Sequence, residues 1–456
     1  MKIFGLQEKG TNFVSEILAG ITTFITVAYL PLQCAQLLAG KGIGQTAAYV
    51  AICLTSFVGC LVMGVIANQP YILTPSVGMI AFFSGTLLTS MHYTYAQALA
   101  LVMIAGVIFL LLSVTGLQNK IFSAIPSNLK NALSAGLGIY IALLGLRHAG
   151  FLKTDSNGTW HLVDFSQRNA QLFTAMLMFV GIILIIMCKK FNLPAPILLG
   201  LIATGVIYYL VGVPAGFVSM VDLKVNFSEV GRQLSDWASS ILFKNFTQGI
   251  SGLFGSMGFA LKSILTLILL ILIYTLFSSM ESNGVIYTTA RNAGQLDEGG
   301  NFGGLKMTML SNSIGTLAGS CFGCPALTVA PESGAGISAG GKTGLTAVTA
   351  GVMFLGAIAF APFINMLPSA ITACVMLYIG ILMLNAVKDI DFGNIGESIP
   401  ALITMIVIPF TSSIIDGIAL GLTAHAVINL LTFKFKAINI IELIFGILFA
   451  INYFMI

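Results

Sequence analysis

The chain has 456 residues, of which 57% are hydrophobic and only 8% charged, with a mean hydropathy of +0.98 and a formal net charge of +4. A soluble domain carries about 25% charged residues. This chain cannot cover a water-facing surface, so it reads as an all-α polytopic membrane protein whose surroundings are the lipid bilayer. A small positive charge with no basic cluster excludes nucleic acid as a partner.

After the opening MKIFGLQEKG, an apolar run begins near Phe13. It continues without a small-residue cleavage site, which predicts a first transmembrane helix and not a signal peptide. About 20 apolar residues cross the hydrocarbon core. Spans are expected at 13–38, 46–67, 74–90, 95–117, 128–147, 170–188 and 193–212. The stretch 213–260 holds Asp222, Lys224, Glu229, Arg232 and Asp236, and reads as a solvent-side connection with amphipathic helix. A second set follows at 261–284, 304–320, 330–341, 344–365, 370–387, 398–413 and 416–432. The last apolar run, 438–455, fits a further span or an interfacial helix.

Two local matches suggest an internal repeat. TPSVG opens the third segment at 74–78 and APESG opens the tenth at 330–334. IPSNLKNAL opens the fifth and LPSAITACV the twelfth, in the same order. Seven is odd, so the second copy enters the membrane from the other side, giving an inverted repeat. Carriers of this plan bind substrate near the midplane, between interrupted helices in matching positions. Segments 74–90 and 330–341 are that pair here. Lysines and arginines are somewhat more numerous on the side of the amino terminus, which places it in the cytoplasm.

Proline suits the first helical position, where its missing N–H is no loss. Pro75 and Pro331 therefore read as starts of half-helices, each offering free amides and the positive end of a dipole. Gly78, Gly334 and Gly336 would let a planar ligand come close, or equally another helix. A carboxylate within the bilayer is costly and is by default a functional candidate. Glu332 falls at the second position of its half-helix, and Glu281 near the end of the eighth segment. Each has a plainer alternative: a helix-start residue for Glu332, a cytoplasmic boundary for Glu281. Asp416 reads as a turn residue. An ionised carboxylate accepts hydrogen bonds from a ligand, and a neutral one can carry a proton, so two acids at one site suit proton coupling. His92, His148, His161 and His425 are far apart, and Cys321 and Cys324 fit a packed helix end, so no metal or other cofactor is expected, although sodium as the coupling ion stays open.

ESGAGISAGGKTGLTAV at 332–348 resembles the signature of the AzgA-like purine permeases, a branch of the xanthine/uracil permease (nucleobase–ascorbate transporter) family. LAGITTFITVAYL (18–30), SAGLGIYIALLGLRHAG (134–150) and ARNAGQLDEGG (290–300) resemble further parts of it. The resemblance implies about fourteen transmembrane segments in two inverted seven-helix repeats. It implies a core domain from 1–117 and 261–366, and a gate domain from 118–212 and 367–456 that dimerises, with 213–260 as the connection. It implies proton-coupled uptake of a purine such as adenine, guanine or hypoxanthine by alternating access, across the cell membrane. The family's acids fall on Glu332 and Glu281, which are expected to serve both substrate and proton. Ser333, Gly334, Ser76, Val77, Gly78 and Tyr29 complete the expected substrate-binding set. Departures exist: Ile80 stands at the family's Asn, Phe82 at its Tyr, and Cys34-Ala35 at its Asn-Pro pair. Another base (uracil or xanthine), a small organic or inorganic anion, or an intramembrane enzyme are the alternatives.

Overall fold

The computed structural model describes residues 4–117, 126–155, 160–166, 169–218, 227–256, 261–293, 295–296, 302–366, 368–411 and 413–432. The run 438–455 and the charges Asp222 and Lys224 lie outside them.

A bilayer offers the backbone no hydrogen-bond partners, so long apolar runs close their own bonds as helices. Helix α1 (Phe13–Val27) starts where the Asn12 side chain accepts from the Ser15 amide, and α2 (Tyr29–Leu38) follows beyond Ala28. Helix α3 (Gln45–Val62) runs on as a π-helical turn to Ala67. Strand β1 (Leu73–Thr74) leads into α4 (Val77–Ala81), itself prolonged by π-helical turns to Ser90. Helix α5 (Tyr95–Thr115) begins at a capping box of Thr94 and Gln97. Helix α6 (Ser127–His148), a short hairpin of β2 (Leu152–Thr154) and β3 (Trp160–Leu162), α7 (Ala170–Lys190) and α8 (Pro196–Gly212) complete the first half.

The connection contains the amphipathic α9 (Phe227–Ser240) and the short α10 (Ile250–Ser256). Helix α9 is docked: Gln233 accepts from the Thr46 amide at 3.0 Å and Trp237 donates to the Phe322 carbonyl at 2.8 Å. The second half comprises α11 (Leu261–Asn292), α12 (Leu305–Phe322), β4 (Thr328–Val329), α13 (Ser333–Ser338), α14 (Gly344–Ala357), α15 (Ser369–Leu384), α16 (Ile395–Thr411) and α17 (Ile414–Leu431). Among the described residues, eight helices are long and apolar enough to cross a membrane, and four shorter ones are apolar.

Packing repeats between the halves. Helix α5 packs on α12 as α3 packs on α14, and α1 on α14 as α11 on α5. Likewise α7 packs on α8 as α16 on α17, and α6 on α16 as α15 on α7. The pairs α3–α12, α6–α15 and β1–β4 map onto themselves, and β1 and β4 are antiparallel. This is the contact pattern of two repeats related by a two-fold axis. Gly138 and Gly380 permit the close α6–α15 crossing, since a Cβ on either would lie 2.7 or 2.5 Å from the other's carbonyl oxygen.

Two differences from the expected boundaries bear on the site. Helix α11 runs to Asn292, not 284, because Ile286 and Ala290 are fully buried in a second core cluster with Tyr71, Phe302 and Met309. Glu281 is therefore inside the helix and not at its end. The tenth segment is helical only over Ser333–Ser338 and not 330–341, because β4 and two turns occupy the residues before it.

Candidate functional site

Strands β1 and β4 lay the two half-helix starts side by side, with Leu73 opposite Val329 and Thr74 opposite Thr328. Past β1, Ser76 is the N-cap of α4. Its Oγ accepts from the Met79 amide at 3.0 Å and donates to Glu281 Oε2 at 2.8 Å. The Ile80 amide reaches the Ser76 carbonyl. That leaves the amides of Val77 and Gly78, the first two of the helix, without an intrahelical acceptor.

The other start is built differently. The amides of Ser333, Gly334 and Ala335 are taken by the carbonyls of Ala330, Pro331 and Glu332 at 2.9–3.1 Å. Free amides, expected from the Pro331 signal, are thus absent from α13. Both prolines precede the N-cap residue and do not open the helix. Glu332 occupies the cap position with a helical backbone, and its side chain caps nothing. Instead the Tyr29 hydroxyl donates to Glu332 Oε1 at 2.5 Å, while Oε2 is buried with no hydrogen-bond partner among the described residues.

Tyr29, Ser76, Val77, Gly78, Glu281 and Glu332, six of the eight expected site residues, line one cavity of about 620 Å³. Phe277 and Met280 of α11 add apolar wall, and α6 and α15 close the far side. The other two residues lie elsewhere. Ser333 is fully buried, and its hydroxyl accepts from the Ile72 amide at 3.0 Å, tying α13 to the stretch before β1. Gly334 lines a second cavity of about 1190 Å³ that meets the first at Gly284, Thr288 and Pro331.

The glycines separate in the same way. A Cβ on Gly78 would lie 3.3 Å from the Phe277 ring and 3.7 Å from Glu281 Oε1, so this position faces the cavity. On Gly334 it would meet only Thr289, at 3.8 Å, and on Gly336 it would overlap Thr23 of α1. Gly336 therefore serves helix packing.

Sequence reasoning missed Glu16. Its side chain is 0% exposed and accepts from the amides of Lys342 (2.9 Å) and Thr343 (3.2 Å) and from the Thr346 hydroxyl (2.5 Å). A carboxylate at the N-terminus of α14 suits the positive end of that helix. The second part of the 332–348 signature is thus a cradle for Glu16, and only its first residue reaches the cavity. A lone acid in the first turn of α1 gave no local signal of this. Asp416 lies in the first turn of α17, its amide bonded to Ser413 Oγ, as a turn residue would. Among the described residues, no cluster of His, Cys, Asp and Glu could hold a metal ion, and none of the seven cysteines is in a disulfide.

The transmembrane domain of BicA, a cyanobacterium bicarbonate transporter, matches this structure with a TM-score of 0.62 at 15% identity, over 89% of this chain and 96% of its own. SLC26A9 matches at 0.60 and 12% identity, over 92% of this chain and 65% of its own. These likenesses establish a shared fold. A guanine/hypoxanthine permease of Bacillus subtilis (strain 168) is 30% identical over 99% of this chain and 100% of its own length. An adenine permease of Escherichia coli (strain K12) is 27% identical over 99% and 95%. A family model described as "Permease family", that of the xanthine/uracil permeases, matches residues 14–420. With its purine-permease relatives, its membrane helices and its paired interrupted segments, the chain belongs to the xanthine/uracil permease family and is a transporter, not an enzyme.

Proposed function

We propose that this permease takes up a purine base such as adenine, guanine or hypoxanthine, coupled to protons, by alternating access. One observation carries the reading: Glu281 and Glu332 line a single cavity between two interrupted helices, and Glu332 Oε2 has no donor among the described residues. A base offers N–H donors on a flat ring, and a hydrogen bond to a charged acceptor contributes roughly 1.5–3 kcal/mol. The Val77 and Gly78 amides supply the opposite polarity beside it. An anion would instead meet two carboxylates. Glu281, held through Ser76, is the coupling acid in this reading.

Helices α1–α5 with α11–α14 then act as the core, and α6–α8 with α15–α17 as the gate, through which two copies pair. The amino terminus faces the cytoplasm. Purified protein in sealed vesicles, given radiolabelled bases with and without an inward proton gradient, tests this. Gradient-driven purine accumulation is expected, and Glu281→Gln should keep base-for-base exchange while losing accumulation. Accumulation that follows a sodium gradient alone, or that survives Glu281→Gln, overturns the coupling.

A further inference from the structure

Six residues line both cavities: Gly284, Val285 and Thr288 of α11, Pro331 before α13, Ser134 of α6 and Leu382 of α15. The two spaces meet there. On one side of the junction lie Glu281 and Glu332. On the other, the second cavity runs to the exposed Gly303, Ser338 and Lys342, and to Lys9 just ahead of α1. The junction thus stands between the site and the surface on the amino-terminal side. Among the six, Gly284 has no structural reason to be glycine. It sits inside a 32-residue helix, where glycine is favoured less than any residue but proline. Its φ is not positive, so the backbone does not ask for glycine. Neither does packing: a Cβ there would meet no atom within 4 Å among the described residues, whereas on Gly138 or Gly336 it would collide. The Thr288 hydroxyl, one turn on, donates to the Gly284 carbonyl at 2.8 Å, so the polar group of this face is turned back onto its own helix.

We infer that Gly284 is the aperture of the permeation path: the side chain it lacks leaves open the passage by which the base moves between the Glu281–Glu332 cavity and the amino-terminal side. This rests on the proposed function. A helical side chain leans over the turn that precedes it. At 284 that turn carries Met280 and Glu281, which line the base cavity, so a long side chain would lie across the way out of it. A purine is a rigid fused ring with no bond to rotate, and it cannot bend past such an obstacle. Residue 284 then sets how large a ring passes and how fast, while the carboxylates set what is held.

The test loads the purified full chain with radiolabelled hypoxanthine, adenine or guanine and follows release of the bound base. In Gly284→Leu, release should slow about tenfold or more. Association should slow in step, so that affinity moves less than either rate. The sign separates the roles, because damage to the site itself would speed release. Leucine is a better helix former than glycine, so α11 is not put at risk. Should Gly284→Leu bind no base, Gly284→Cys is loaded and then modified with a bulky thiol reagent. Modification must slow release beyond any effect on wild type, whose seven cysteines are the control. Release as fast as in wild type, or faster, overturns the inference. A wild type that binds none of the three bases overturns the proposed function and this inference with it.

Discussion

The half-helices α4 and α13 occupy equivalent places in the two repeats, yet they divide the work. Helix α4 leaves two amides without an intrahelical acceptor and uses a serine cap to reach an acid on another helix. Helix α13 spends its amides on tight turns and offers instead an acid of its own, braced by a tyrosine from a third helix. Repetition of the backbone did not preserve the chemistry of its ends: one start became a donor edge, the other an acceptor. A ligand lying between them is met by both polarities at once.

The comparison can be broken from either side. The largest effect is expected at the donor edge: Gly78→Leu would place a branched side chain against Phe277 and Glu281 and abolish binding. Size-exclusion behaviour like wild type, together with unchanged affinity, would show that the ligand does not use this face. Next comes the acceptor. Glu332→Gln puts an NH₂ where an acceptor is needed, and affinity should drop roughly ten- to a few-hundredfold. Glu332→Asp should lose less. Equilibrium binding of the base to the three proteins in detergent decides, and near-native affinity in Glu332→Gln would reduce this residue to a helix-start role.

Tyr29→Phe sharpens the picture, because it removes the brace and leaves the acid. A loss of roughly tenfold in affinity is expected, the scale of one hydrogen bond to a charged group. The smallest effect belongs to Gly334→Ala, whose new methyl meets only Thr289. Binding within about twofold of wild type is expected there, as for substitutions away from packed or bonded features. A large loss at Gly334 with none at Gly78 would reverse the assignment of the two starts.

Much of this was legible in advance because the bilayer leaves the sequence few options. Apolar runs announced the helices, Pro75 and Pro331 marked the interruptions, and Glu281 and Glu332 stood out as acids in apolar surroundings. What stayed hidden depends on partners remote in sequence. Glu16 finds its amides at Lys342 and Thr343, and Tyr29 finds Glu332, across more than 300 residues. Ser333 looked like a site residue because it follows Glu332, yet successive residues on a short turn point different ways, and its hydroxyl went to Ile72. The far end of α11 was missed because VIYTTARN looks too polar for a span. Its apolar members, Ile286 and Ala290, are one turn apart and bury together.

The pairing of β1 with β4 bears on how the site comes into being. Each strand has two residues, too few to persist alone, and each lies in a stretch that is not helical. While the chain is being synthesised, Leu73 and Thr74 emerge long before Val329 and Thr328, their only strand partners among the described residues. Unpaired backbone is costly in hydrocarbon. This stretch gains its strand partner only once most of the second repeat has been made. Binding competence then requires both repeats, because the small ladder that lays the two half-helix starts side by side takes one strand from each.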